Sequence, residues 1–195
     1  MAKKKIPYGV SNFEAIKADN YFYVDKTKYL EVLEGFNEKY LFFLRPRKFG
    51  KSLFISLLEY YYGVDHKDKF DDLFSEYYIG KNPTPKANSY YILKFDFSSI
   101  MTSSPEETYK GFRTKVIDGV SRCIYSYNLF TESAREYILN QETSNQILII
   151  FLNIFKSKSL SNKIYILIDE YDHFTNELIS FRLNEFSEIV SRNGY

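Results

Sequence analysis

The stretch that most constrains this chain is Leu41-Phe42-Phe43-Leu44-Arg45-Pro46-Arg47-Lys48-Phe49-Gly50-Lys51-Ser52-Leu53-Phe54. An apolar run with strand composition stops at Leu44 and a compact basic turn follows. Gly-Lys-Ser then opens a segment whose apolar residues, Leu53, Phe54, Leu57, Leu58 and Tyr61, have helical spacing. Strand, turn, Gly-Lys-Ser and helix is the order a phosphate-binding loop requires. The first N–H groups of the helix have no intrahelical acceptor, and the helix dipole favours negative charge in front of them. Lys51 would reach the β and γ phosphates, and the Ser52 hydroxyl would face Mg²⁺. The general pattern G-x-x-x-x-G-K-[ST] has a glycine where this chain has Arg45. A solvated basic turn between strand and helix would show the same tripeptide.

A chain of 195 residues, 45% hydrophobic and 26% charged, is long enough for a core and is of globular composition. The formal net charge is +1, so charge as a whole does not select a nucleic-acid partner. The basic residues are instead local: Lys3, Lys4 and Lys5 in one cluster, Arg45, Arg47, Lys48 and Lys51 in another. The second cluster suits a phosphate ligand, and more weakly a DNA backbone. One cysteine, Cys123, excludes an intrachain disulfide and a cysteine-based zinc site. Two histidines, His66 and His173, argue against a histidine-rich metal site. The start Met-Ala-Lys-Lys-Lys-Ile-Pro-Tyr-Gly lacks the apolar core of a signal peptide, and the run from Ile147 to Leu152 is too short to span a bilayer. A cytoplasmic protein with no membrane partner is the expectation.

Along the chain, Ser11 is expected to cap a short helix over 12–17, with Glu14 completing a capping box. Residues 21–24 read as a short strand. Asp25 or Thr27 would cap a helix that ends near Gly35, and the Asp25-Lys26-Thr27 corner has two readings, a nucleotide-pocket wall or a plain N-cap. Residues 40–44, apolar at every position, are expected to form the first core strand, covered on both faces. The helix from Lys51 should stop at Gly63. Residues 90–97 are the second core strand. It ends in Asp96, which would either position water and magnesium ligands or cap the next turn. Pro105 opens a helix to about Tyr125, with Phe112, Val116, Val120 and Cys123 as its buried stripe. Further helices are expected over 131–139, 145–155 and 176–190.

Ile164-Tyr165-Ile166-Leu167-Ile168-Asp169-Glu170 is an apolar strand ending abruptly in two acids. Beside a phosphate loop, Asp169 would hold Mg²⁺ through water and Glu170 would act as general base toward the attacking water. The two motifs together are Walker A- and Walker B-like. They point to a three-layer, P-loop NTPase-like α/β fold with a mostly parallel central sheet. Asp172 would add a hydrogen bond behind these carboxylates, and His173 reads as a loop residue.

Four blocks occur in order: 6–10 (Ile-Pro-Tyr-Gly-Val), 23–27 (Tyr-Val-Asp-Lys-Thr), 42–52, and 167–172 (Leu-Ile-Asp-Glu-Tyr-Asp). Together they resemble the AAA-ATPase-like domain family of bacteria and archaea over nearly the whole chain. That family starts its loop with arginine and proline, so Arg45 fits it. The resemblance implies ATP and Mg²⁺ as cofactors. It implies a nucleotide-binding loop of Arg45, Pro46, Arg47, Lys48, Phe49, Gly50, Lys51, Ser52 and Leu53. Ser52 and Asp169 would hold the metal, and Lys51 and Glu170 would carry the chemistry. Residues 1–195 would be one such domain, with 1–37 an N-terminal extension packed on it. Full members are much longer and often carry a nuclease-like C-terminal domain. With 25 residues after Glu170, the last sheet strands, sensor residue and arginine finger would be missing, or would come from a homo-oligomer or a domain in trans.

The leading expectation is ATP binding with magnesium-dependent hydrolysis. The alternatives are a nucleotide-binding module without turnover and a nucleic-acid-associated protein whose basic loop touches phosphates. No Asn-Lys-x-Asp guanine-reading run is present, which leans to adenine.

Overall fold

The computed structural model describes residues 4–36, 38–46, 48–101 and 103–171. In chain order the elements are α1 (Phe13–Ala18), α2 (Tyr29–Gly35), α3 (Lys51–Tyr62), a 3-10 segment (Val64–Lys69), α4 (Phe70–Phe74) and α5 (Tyr78–Lys81). There follow β1 (Tyr90–Asp96), α6 (Pro105–Ser126), α7 (Glu132–Leu139), α8 (Ser144–Ser157) and β2 (Lys163–Asp169). The fold is α/β. Among the described residues the sheet has two strands, β1 beside β2, and the bulk is helical. The chain divides into two compact units, residues 1–92 with 161–165, and residues 93–160 with 166–195.

β1 and β2 run parallel. The Asn162 side-chain amide donates to the Ser89 carbonyl, just before β1, at 2.8 Å. At the far end the Phe97 N–H donates to the Asp169 carbonyl at 3.1 Å. The strands therefore start together and finish together, and Asp96 and Asp169 are their last residues.

In the first unit, α3 is the central helix. Leu57, Leu58, Tyr60, Tyr61 and Tyr62 are all buried. Helix α1 is capped by the Asn12 side chain, which accepts from Ala15 N–H; the cap is Asn12, one residue beyond the expected Ser11. It packs on α3 with Phe13 N–H donating to the Ser56 hydroxyl at 2.9 Å. The Tyr62 ring stacks on Tyr165 at 4.8 Å and meets Tyr90 edge-on. The Glu34 carboxylate, from α2, accepts from the hydroxyls of Tyr62 (3.0 Å) and Thr84 (2.8 Å). Burial, then neighbouring Tyr90 and Glu34, push the Tyr165 hydroxyl up to about 12.

In the second unit, α6 begins at Pro105 behind a Ser104 cap that accepts from Glu107 N–H. Its buried residues include Val116, Val120 and Cys123, so the cysteine is a packed apolar side chain. Gly119 sits where α6 crosses β1. A methyl there would fall 2.5 Å from Phe95 Cδ1 and 2.7 Å from the Lys94 carbonyl oxygen. Helix α8 carries a complete capping box between Thr143 and Gln146.

Two expected strands are absent. Residues 21–24 supply only an isolated parallel bridge, Lys5 with Tyr21. Residues 40–46 belong to no strand. Exposure alternates along the run: Tyr40, Phe42 and Leu44 are 85%, 77% and 72% exposed, Leu41 and Phe43 46% and 39%. That alternation is the period of a strand. Phe43 lies on α3, stacked on Phe54 at 4.8 Å. A strand needs a neighbouring backbone, and none of the described residues supplies one to this run. The central sheet expected from the sequence thus has two of its strands here. The expected helix over 176–190 lies outside the described residues.

Candidate functional site

The basic loop is a tight turn against the start of α3. Phe49 N–H donates to the Pro46 carbonyl at 3.3 Å. Lys48 (φ 66°) and Gly50 (φ 78°, ψ 26°) both take left-handed backbone. Gly50 is thus the N-cap of α3, and it brings no side chain to the helix end. A Cβ built on Gly50 would meet nothing within 4 Å. Glycine is needed there for the backbone angle, and the space before the helix stays open.

Lys51, Ser52 and Leu53 are the first three residues of α3, all half-buried. They carry the N–H groups that lack intrahelical acceptors. The first turn holds no acidic residue, so no carboxylate of its own offsets the positive end of the dipole. Among the described residues Lys51 makes no ion pair. Arg45 is exposed, with its guanidinium 5.6 Å from the Phe43 ring centre. Lys48 is exposed and Phe49 is 70% exposed. Arg47 lies outside the described residues. A helix start without a side-chain cap or an acid of its own, and with a lysine in its first turn, is an arrangement that fits an anion.

Asp169 and Glu170 belong to the second unit. Both are half-buried, and Glu170 has left-handed backbone (φ 52°). The Glu170 N–H turns back to Asp169 Oδ1 at 3.0 Å. Asp96 Oδ1 accepts from Ser98 N–H at 2.9 Å, so Asp96 does cap the turn that follows its strand. Burial raises the Asp96 pKa, but the bonds from Ser98 and the charges of Lys115 and Lys94 outweigh it and hold the carboxyl below its ordinary value. The second unit therefore sets two aspartates at the same end of paired parallel strands. Sequence reasoning had singled out both, but not Lys115, whose link to Asp96 depends on α6 lying near the strand end.

Among the described residues no group of three or more His, Cys, Asp or Glu stands together as a metal cage. Magnesium does not require one, since it keeps several waters and takes one or two protein oxygens beside phosphate. Asp172 and His173 lie outside the described residues. No helix among the described residues is long and apolar enough to cross a membrane.

The Asp25-Thr27 corner has a structural role. Asp25 Oδ1 accepts from the Thr27 N–H (2.8 Å) and hydroxyl (2.7 Å). Asp25 Oδ2 accepts from Tyr78 N–H at 2.8 Å, and Thr27 Oγ1 accepts from Ile79 N–H at 3.1 Å. The two side chains therefore satisfy the first N–H groups of α5, more than fifty residues away. They do not cap α2, whose N-cap is Lys28 without a side-chain bond. Burial raises the Asp25 pKa, but these donors prevail and hold it below the ordinary value.

Comparison with known proteins agrees with the motifs. A protein of Azotobacter chroococcum mcd 1, described as "Uncharacterized protein in vnfD 5'region", is 45% identical over 60 residues, which is 30% of this chain and 11% of that protein. The match thus spans about a tenth of the relative's length. No solved structure matches. A family model described as "Predicted AAA-ATPase" matches residues 7–192, and on that coverage the chain belongs to the AAA-ATPase-like family.

Proposed function

We propose that this chain binds ATP with Mg²⁺ at the Arg45–Leu53 loop and hydrolyses it. The observation that carries the reading is the start of α3: a left-handed Gly50, no side-chain cap, and Lys51 and Ser52 in the first turn. In this reading the N–H groups of Gly50, Lys51, Ser52 and Leu53 cradle the phosphates. Lys51 neutralises charge on the β and γ phosphates as the terminal phosphoryl group leaves. Arg45, Arg47 and Lys48 add positive charge at the loop mouth, and Pro46 and Phe49 form the turn that presents the N–H groups. The Ser52 hydroxyl and the Asp169 carboxylate, through water, would hold magnesium. The ion would supply charge neutralisation across the β and γ oxygens. Glu170 would take the proton from the attacking water.

The reading requires a fuller three-layer fold, with 40–44 as a strand of a mostly parallel sheet. A further copy or a separate domain would supply the strands and cationic groups that complete it. The test is isothermal titration with Mg·ATP beside a phosphate-release assay. The parent should bind and turn over. Lys51→Ala should lose both, and Glu170→Gln should bind but lose turnover by at least about a hundredfold. Tight binding without turnover in the parent identifies a nucleotide-gated module instead. Absence of magnesium-dependent binding in folded protein refutes the proposal.

A further inference from the structure

Arg45 stands where the general phosphate-loop pattern has glycine, and the backbone accounts for the exchange. Among the described residues of the turn, Lys48 and Gly50 take left-handed backbone and Arg45 does not. Glycine's freedom is needed at residue 50, not at residue 45. What the position gains is a guanidinium. It lies over the Phe43 ring, 5.6 Å from its centre, and that ring is stacked on Phe54 of α3 at 4.8 Å. The helix that carries Lys51 and Ser52 thus also places Arg45, through two rings. Pairing of residues 40–44 into a sheet would use their backbone edges and leave this side-chain stack in place. Among the described residues none of the ion pairs involves Arg45, and the sequence has no acid between Glu38 and Glu59.

We propose that Arg45 reads the terminal phosphate, so that the loop takes a nucleoside triphosphate in preference to a diphosphate, with Phe43 as the positioning residue. The inference deepens the proposed function and rests on it. The Phe49 N–H is bonded back to the Pro46 carbonyl, so Arg45 lies one peptide from the turn that opens onto Gly50, at the mouth of the loop. The N–H groups of the first turn of α3 meet phosphates that a diphosphate also carries. A guanidinium at the mouth meets the outermost phosphate, and can grip two of its oxygens at once. Contact with a ring face uses none of its N–H donors. Holding the side chain on Phe43 beforehand also lowers the rotamer entropy lost on binding. Lysine would keep the charge and lose the fork.

The test is isothermal titration of the full chain with magnesium and either ADP or the non-hydrolysable β,γ-imido analogue of ATP, read as the ratio of the two affinities. The parent should favour the triphosphate. Arg45→Ala should weaken triphosphate binding by about ten- to a hundredfold and leave ADP binding within about threefold. Arg45→Lys should leave the preference reduced. Phe43→Leu keeps an apolar contact for Phe54 but removes the ring face, and should lower the preference by about two- to fivefold; Phe43→Tyr should keep it. The ratio does not depend on the folded fraction, because both nucleotides are titrated into the same preparation. If Arg45→Ala weakens both nucleotides equally, Arg45 supplies only general charge and the inference is overturned. An unchanged ratio in that variant overturns it too. Full preference in Phe43→Leu removes Phe43 as the positioning residue. In each of these cases the parent still binds, so the phosphate-loop reading survives. A folded parent that binds neither nucleotide ends that reading, and this inference with it.

Discussion

Replacing Thr27 by valine tests whether the 23–27 block is structural or part of the ligand site. Thr27 is 1% exposed, and valine keeps its shape while deleting the hydroxyl. Two bonds go with it. The Ile79 N–H loses its acceptor in a buried position, which costs about 1–3 kcal/mol. The Asp25 carboxylate loses its 2.7 Å hydroxyl donor, and a bond to a charged group is worth about 1.5–3 kcal/mol. Asp25 is exposed and keeps the Thr27 N–H and Tyr78 N–H donors, so water and those amides recover much of the second loss. The sum is about 2–4 kcal/mol. In a chain of this size that lowers the melting temperature by about 4–16 °C. Urea unfolding should show a lower midpoint with an unchanged m-value, since the same surface is exposed on unfolding. Nucleotide binding by the folded fraction should be unaltered. A variant as stable as the parent, or one that keeps its stability and loses ATP affinity, would refute the assignment and return Thr27 to the pocket.

The same corner predicts a pH dependence. Asp25 is held below its unfolded value of about 3.9. Its contribution is therefore fully present above that value and is lost as pH falls through the lower, folded value. The stability gap between parent and Asp25→Asn should be constant from neutrality to about pH 5 and close on further acidification; a gap independent of pH would show that the carboxylate's charge has no part. Gly119→Ala should destabilise the second unit. The methyl meets Phe95 and the Lys94 carbonyl of β1, and overpacking of about 1–3 kcal/mol outweighs the gain of about 1 kcal/mol from a better helix former. Chemical denaturation that finds the variant more stable would show that α6 can move off the strand. Ser104→Ala removes the α6 cap and should cost about 1 kcal/mol, read from the same unfolding curves.

What the sequence made legible is what local rules determine. Pro105 and its acidic first turn announced α6, and Gly50-Lys51-Ser52 announced the start of α3, whereas the Thr143 cap of α8 went unread. Strands β1 and β2 were legible because both are apolar runs bounded by polar turns. Residues 40–44 have the same composition, yet they form no strand. Composition chooses extended backbone, whereas pairing is decided by a partner segment distant in sequence. The Asp25-Thr27 corner failed for the same reason. Asx and Thr side chains before a helix normally serve the next turn, and nothing local indicated α5 as the acceptor of their bonds.

That difference bears on the loop. The features that would face a phosphate in the proposed reading, the backbone of Lys48 and Gly50 and the first turn of α3 without a side-chain cap, are local consequences of the Gly-Lys-Ser sequence, so they stand without a completed sheet. What hydrolysis would add is not local, because in the proposed reading Asp169 and Glu170 would have to be brought to the ion by pairing of distant strands. Binding and turnover therefore make different demands on the fold. Loosening the β1–β2 pairing, by replacing buried Leu167 with alanine, should impair turnover before it impairs phosphate binding. The cavity alone costs about 2–5 kcal/mol, which falls on the strand that carries both acids. Phosphate release and calorimetry, measured on the same preparation, would separate the two. Equal loss of both would mean that the loop, too, depends on the sheet.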